Sequence, residues 1–176
     1  MIGRMKSVVR VVIGVGIALT ALGVSASASA QDRLGGHIGA VFPLVTRANG
    51  ETVNIGDDFK IGFPMGITVK TSDKWAFDLE LVPVLDPRDD APIGVPLTIH
   101  PGILRGLGGN WTAGGRMAFD INGASWGFTP LINKGFPIGK AYTPFIEFVV
   151  PIRFQDNATG DSSTAVGFGV HFGVGF

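Results

Sequence analysis

The sequence predicts an all-β fold, an eight-stranded antiparallel up-and-down transmembrane β-barrel. Three observations lead there. Apolar residues recur at every second position through most of the chain. The connections between these segments alternate between short turns and longer polar loops. No segment after residue 30 approaches the length of an apolar spanning helix, although hydrophobic residues make up 45% of the chain and Gly numbers 27. A membrane protein without apolar helices has the closed barrel as its other solution, because every backbone polar group must pair internally.

The first thirty residues read as a signal peptide. Arg4, Lys6 and Arg10 precede the apolar run VVIGVGIALTALGV, and small residues at Ala28 and Ala30 follow it. That is the three-part layout of a secretory leader. Cleavage after Ala30 leaves one domain, 31–176. The chain has no Cys, so no disulfide supports an exported fold. Losing three basic residues leaves an excess of Asp and Glu, which argues against nucleic acid as a partner.

Period two locates the strands. Phe59, Ile61, Phe63, Met65, Ile67 and Val69 alternate with smaller or polar residues, as do Trp75, Phe77, Leu79 and Leu81. The same holds for Trp111–Ile121 and for Tyr142–Phe154. With the weaker segments, eight strands are expected at roughly 34–46, 58–70, 75–85, 96–105, 111–121, 126–134, 141–154 and 165–176. These lengths suit tilted strands crossing a bilayer. The segments 71–74, 106–110 and 134–140 read as turns. The regions around RANGETVNIGD, LDPRDDAPIG and QDNATGDSST read as longer, acidic loops. Pro43, Pro64, Pro83, Pro101, Pro130, Pro144 and Pro151 all fall inside expected strands, where a missing N–H calls for bulges or shorter limits.

Periodicity alone does not say which stripe faces inward. Three details place the apolar one outside. Trp75, Trp111 and Tyr142 open strands at one end, and Trp126 and Phe154 lie at the other, as two interfacial girdles would. The opposite stripe is rich in Gly, as a narrow lumen requires. The last strand, AVGFGVHFGVGF, carries Phe168, Val170, Phe172, Val174 and Phe176 on one stripe.

On these residues, 31–176 resembles the small eight-stranded outer-membrane barrels of Gram-negative bacteria, the class of OmpX, OmpW and the OmpA membrane domain. The resemblance implies an outer-membrane location. It also implies that Phe168, Val170, Phe172, Val174 and Phe176 form the signal read by the barrel-assembly machinery. The other implied partners are outer-membrane lipid and lipopolysaccharide, and the chain is expected to be a monomer.

With lipid outside, His37, Lys60, Asp78, Glu80, His100, Arg116, Asp120, Glu147, Arg153 and His171 point inward. Counting from the strand ends puts Glu80, His100, Arg116, Glu147 and His171 in one mid-barrel layer. Arg116 on the lipid face at mid-depth would cost about 2–4 kcal/mol, which favours the inward register. The layer reads as an internal salt-bridge network filling a narrow barrel. A proton-responsive gate or a transition-metal set are the sharper alternatives. Ser72, Ser125, Ser162 and Ser163 fall in turns or loops, away from the three His, so no nucleophile–base pair is expected. No catalytic residue, metal or cofactor is expected. The expected function is a non-catalytic structural or surface-interaction barrel, or a narrow passage for small solutes. The alternatives are a soluble periplasmic barrel binding an apolar ligand, and a lipid A-modifying barrel enzyme.

Overall fold

The structure is a computed structural model that describes residues 33–87, 95–121, 123, 125–139, 141–156 and 162–176. The expected signal peptide, most of the LDPRDDAPIG loop and part of the QDNATGDSST loop lie outside the described residues.

Eleven strands build one antiparallel sheet: β1 (Leu34–Ala48), β2 (Glu51–Asn54), β3 (Ile61–Gly62), β4 (Met65–Lys70), β5 (Trp75–Leu85), β6 (Leu97–Gly108), β7 (Trp111–Asp120), β8 (Ser125–Gly135), β9 (Thr143–Val149), β10 (Ile152–Asp156) and β11 (Ser162–Gly175). The sheet closes on itself, because β11 pairs β9 and β10 on one side and β1 on the other. Two pairs of short strands each make one wall strand. β3 and β4 both lie between β1 and β5. β9 and β10 pair β8 and β11 in an unbroken register. The barrel wall therefore has eight strands. Closure leaves no edge, which an antiparallel sheet of this length would otherwise have to protect.

The prolines explain where wall strands divide. Pro64 separates β3 from β4, and Pro151 separates β9 from β10. Each loses a donor but keeps its carbonyl in use: Gly39 N–H donates to Pro64 O at 2.9 Å and Gly167 N–H to Pro151 O at 2.8 Å. Pro43 borders a bulge in β1. Pro130 stays inside β8 and accepts from Val150 N–H at 3.0 Å. At Pro101 the β6–β7 ladder skips His100 and Pro101 and resumes in the same register.

One end of the barrel carries the tight connections. Gly109 and Asn110 both have positive φ, 56° and 62°, which is the two-residue hairpin geometry that matches strand twist. We call this the turn end; β1 starts there and β11 finishes there. The opposite, loop end holds an element the alternation did not indicate. Asn49 and Gly50, at φ 52° and 83°, turn β1 back into β2, so part of the expected loop is a hairpin.

The alternation is realised with polarity inverted relative to a soluble domain. Phe77, Ile103, Met117, Phe119, Phe148, Phe168, Phe172 and Phe176 are exposed on the outer wall. His37, Asp78, Glu80, His100, Arg116, Glu147 and His171 are buried inside. The lumenal glycines make room for these groups. Gly66 lies between His37 and Glu80 in register, and a Cβ there would collide with the His37 ring. Gly102 lies between Asp78 and Arg116, and a Cβ there would sit 2.5 Å from Arg116 Cγ.

Gly66→Ala is expected to destabilise the folded barrel by about 1–3 kcal/mol through overpacking. Gly115→Ala, on the outer wall with only Thr129 O within 4 Å of the added Cβ, is expected to change stability by less than about 0.5 kcal/mol. Urea midpoints of the detergent-folded variants check the contrast; equal losses would contradict it.

Candidate functional site: a buried charge network across the lumen

The centre of the lumen is Arg116, on β7 and 4% exposed. Its Nε donates to Asp78 Oδ2 at 2.8 Å and its Nη1 to Glu147 Oε1 at 2.8 Å. Its Nη2 stands 3.7 Å from Glu80 Oε1. A guanidinium offers five donors in a planar fork, so one residue can engage carboxylates from two strands and face a third carboxylate across the lumen.

Each carboxylate has further donors. Glu80 Oε1 is 3.0 Å from His37 Nε2, and Glu80 Oε2 is 3.0 Å from His100 Nδ1. Asp78, fully buried, accepts from Thr68 Oγ1 at 2.6 Å. Glu147 faces His171 Nδ1 at 3.2 Å and Asn133 Nδ2 at 3.5 Å. Arg153 Nη2 lies 3.2 Å from His100 Nε2, and its Nη1 donates to Thr129 Oγ1 at 3.1 Å. An ionised carboxylate only accepts and a guanidinium only donates, which fixes one tautomer of His100: Nδ1 carries the proton and Nε2 accepts.

The network draws on every wall strand. His37 comes from β1, Thr68 from β4, Asp78 and Glu80 from β5, His100 from β6 and Arg116 from β7. Thr129 and Asn133 come from β8, Glu147 from β9, Arg153 from β10 and His171 from β11. A separate cluster sits nearer the loop end, where Thr98 donates to Asp120 at 2.7 Å and Ser125 also bonds Asp120.

All five residues expected in one layer, Glu80, His100, Arg116, Glu147 and His171, meet there. Two residues that strand counting left out, Asp78 and His37, are equally central. The register was the missing signal: His37 is level with Gly66 and Glu80, and Asp78 is level with Gly102 and Arg116. Lys60 stands apart, before β3, with its Nζ 2.6 Å from Asp58. Ser125, Ser162 and Ser163 are not in turns or loops: Ser125 opens β8 and faces inward, and Ser162 and Ser163 begin β11, paired with Asp156 and Gln155.

The stripe Phe168, Val170, Phe172, Val174 and Phe176 faces outward, with Phe176 62% exposed. Trp75, Trp111 and Tyr142 stand at the turn end, also exposed. Trp126 and Phe154 stand together at the loop end with ring centroids 4.9 Å apart. Two basic residues lie over turn-end indoles: the Arg105 guanidinium is 5.3 Å from Trp75 and the Lys134 ammonium 5.0 Å from Trp111.

Donor atoms of Glu80, Glu147 and His171 lie within 4.8 Å of one another, the geometry of an incipient metal set. The Arg116 guanidinium already bonds Glu147 and faces Glu80 in that space. A divalent cation there would meet a fixed positive charge, so the arrangement favours an ion-pair network over metal ligation. A cavity of about 160 Å³ adjoins the network, lined by His37, Thr68, Thr112, Arg116, Asn133 and Glu147 among others.

Arg116→Met is expected to cost about 3–5 kcal/mol, because Asp78, Glu80 and Glu147 stay buried without their shared cation. His171→Phe removes one donor to Glu147 and keeps the ring volume, so about 1–2 kcal/mol is expected. Chemical denaturation of both variants in micelles tests the ranking; an unchanged Arg116→Met midpoint would contradict the network.

No family model and no curated protein matches the chain. Among solved structures, the outer membrane protein OprG from Pseudomonas aeruginosa aligns over 81% of this chain and 94% of its own, at 10% identity and a TM-score of 0.42. What the chain does is therefore read from its own residues.

Proposed function

We propose that this chain is a non-catalytic integral outer-membrane barrel whose lumen is plugged, serving envelope structure or surface interaction. The observation that carries the reading is the inverted polarity. A wall of exposed Phe, Ile, Leu, Val and Met surrounds an interior of ion-paired Asp, Glu, Arg and His. In water that arrangement would expose a continuous apolar surface, far beyond the few hundred Å² a soluble monomer tolerates. In a bilayer the same surface is the solvated one.

The plug follows from the network. Arg116 bonds Asp78 and Glu147 and faces Glu80, and Val82, Ala118, Leu131, Phe145 and Val149 are buried in the same interior. An eight-stranded barrel leaves an interior just wide enough for side chains to fill, which favours a structural role over solute passage. A soluble apolar-ligand binder would need the reverse facing. On this reading Trp75, Trp111, Trp126, Tyr142 and Phe154 anchor the two interfaces. The stripe ending in Phe176 serves recognition by the barrel-assembly machinery, and outer-membrane lipid and lipopolysaccharide surround a monomer.

The test is membrane fractionation followed by electrophoresis with and without boiling. An outer-membrane band whose mobility shifts on heating is expected; a band in the aqueous periplasmic extract with no shift would overturn the proposal. Phe176→Asp is expected to lower the heat-shifted band severalfold, and unchanged assembly would remove the assembly role.

A further inference from the structure

Two adjoining recesses mark the outer wall at the turn end of β5–β8. The upper is an apolar groove of about 690 Å³ bounded by Trp75, Phe77, Pro101, Ile103, Met117 and Pro130. Its floor is Gly115, which lies in register between Ile103 and Pro130 and lacks the bulk that either neighbour carries. The lower recess, about 420 Å³, is lined by Asp73, Lys74, Arg105 and Gly106–Gly108.

The two recesses meet at one cross-strand pair. Trp75 belongs to the groove, Arg105 to the recess, and they are direct partners across β5 and β6. The Arg105 guanidinium is held over the indole, and its N–H donors have no hydrogen-bond acceptor among the described residues. The recess holds two cations against the single carboxylate of Asp73, so its charge is net positive.

We propose that these recesses bind one glycerophospholipid with an anionic headgroup, its acyl chain in the groove and its phosphate at Arg105 and Lys74. The inference rests on the chain spanning a membrane as proposed above. Stacking leaves the guanidinium's edges available to an anion, and Arg–phosphate bonds are charge-assisted and geometrically matched. The groove then takes apolar chain directly above the charged group, which is the layout of a lipid at an interface. A second copy of this chain is a poor occupant. Inserted in the same orientation, it would bring its own Lys74, Arg105 and Lys134 to the same depth, and the like charges would repel.

The experiment is native mass spectrometry of the barrel purified from membranes in detergent, titrated separately with phosphatidylglycerol and phosphatidylcholine. One bound phosphatidylglycerol is expected, about tenfold tighter than phosphatidylcholine. Arg105→Gln and Gly115→Phe are each expected to weaken that binding by about tenfold, and Arg47→Gln at the loop end to leave it unchanged. Equal binding of the two lipids, or wild-type binding by both Arg105→Gln and Gly115→Phe, would overturn the site. The heat-induced mobility shift, read on every variant, reports whether the barrel is folded. A barrel that is membrane-inserted and heat-shifted but indifferent to headgroup overturns the lipid site alone. A chain found only in the aqueous fraction overturns the membrane reading with it.

Discussion

A guanidinium in a barrel lumen must be paired from several directions at once, and the arrangement around Arg116 shows what that constraint does to the rest of the chain. Asp78 and Glu147 accept from it, and Glu80 stands 3.7 Å away. Each carboxylate then needs donors of its own, supplied by Thr68, His37, His100, His171 and Asn133. The side chains are long, so the backbone between them must be bare. Gly66 and Gly102 sit level with the charged residues and contribute only space. The stripe of glycines is thus the complement of the network. Since all eight wall strands contribute a member, the network is complete only when the sheet has closed. Opening the barrel would expose an edge and break the ion pairs together, which favours cooperative closure.

The same constraint orients everything outside. Once the polar stripe is committed to the interior, strand pleating sends Phe, Ile, Leu, Val and Met outward on every strand. The distribution of charge at the two ends adds a direction. The turn end bears Arg33, Lys70, Lys74, Arg105 and Lys134 with Asp73 as the described acid, while the loop end mixes Glu51, Asp57, Asp58 and Asp86 with Arg47 and Lys60. Arg105 and Lys134 lie over Trp75 and Trp111, so cation and indole share one level of the outer wall. Arg116 and Arg153 on the inner stripe and a pair of stacked cations on the outer one therefore belong to one proposed design: a sealed interior and an anchored exterior.

Much of this was legible from alternation alone, because a barrel strand has one repeat and few exceptions. The eight wall strands lie within a few residues of the segments marked by period two. The departures have local causes. Pro64 and Pro151 divide wall strands, a consequence of the missing N–H rather than of hydrophobic pattern. β2 was hidden in a polar stretch, although Asn49–Gly50 is a strong hairpin signal. Five network residues could be found by counting inward from strand ends. His37 and Asp78 could not, because shear sets heights by cross-strand register, which a sequence does not print. The lipid-sized recess was equally invisible: it depends on Gly115 lying level with Ile103 and Pro130 on strands whose offset only the folded sheet defines.

On the proposed function, the large apolar side chains face acyl chains while the charges face one another. The protein's three Trp residues, Trp75, Trp111 and Trp126, all stand on the outer wall. The direct measurement is their fluorescence in bilayers made with lipids brominated along the acyl chain, against iodide in the aqueous phase. Strong quenching by the brominated lipids and weak quenching by iodide is the expected result. Strong iodide quenching with no response to the brominated chains would place the apolar wall in water and overturn the membrane reading.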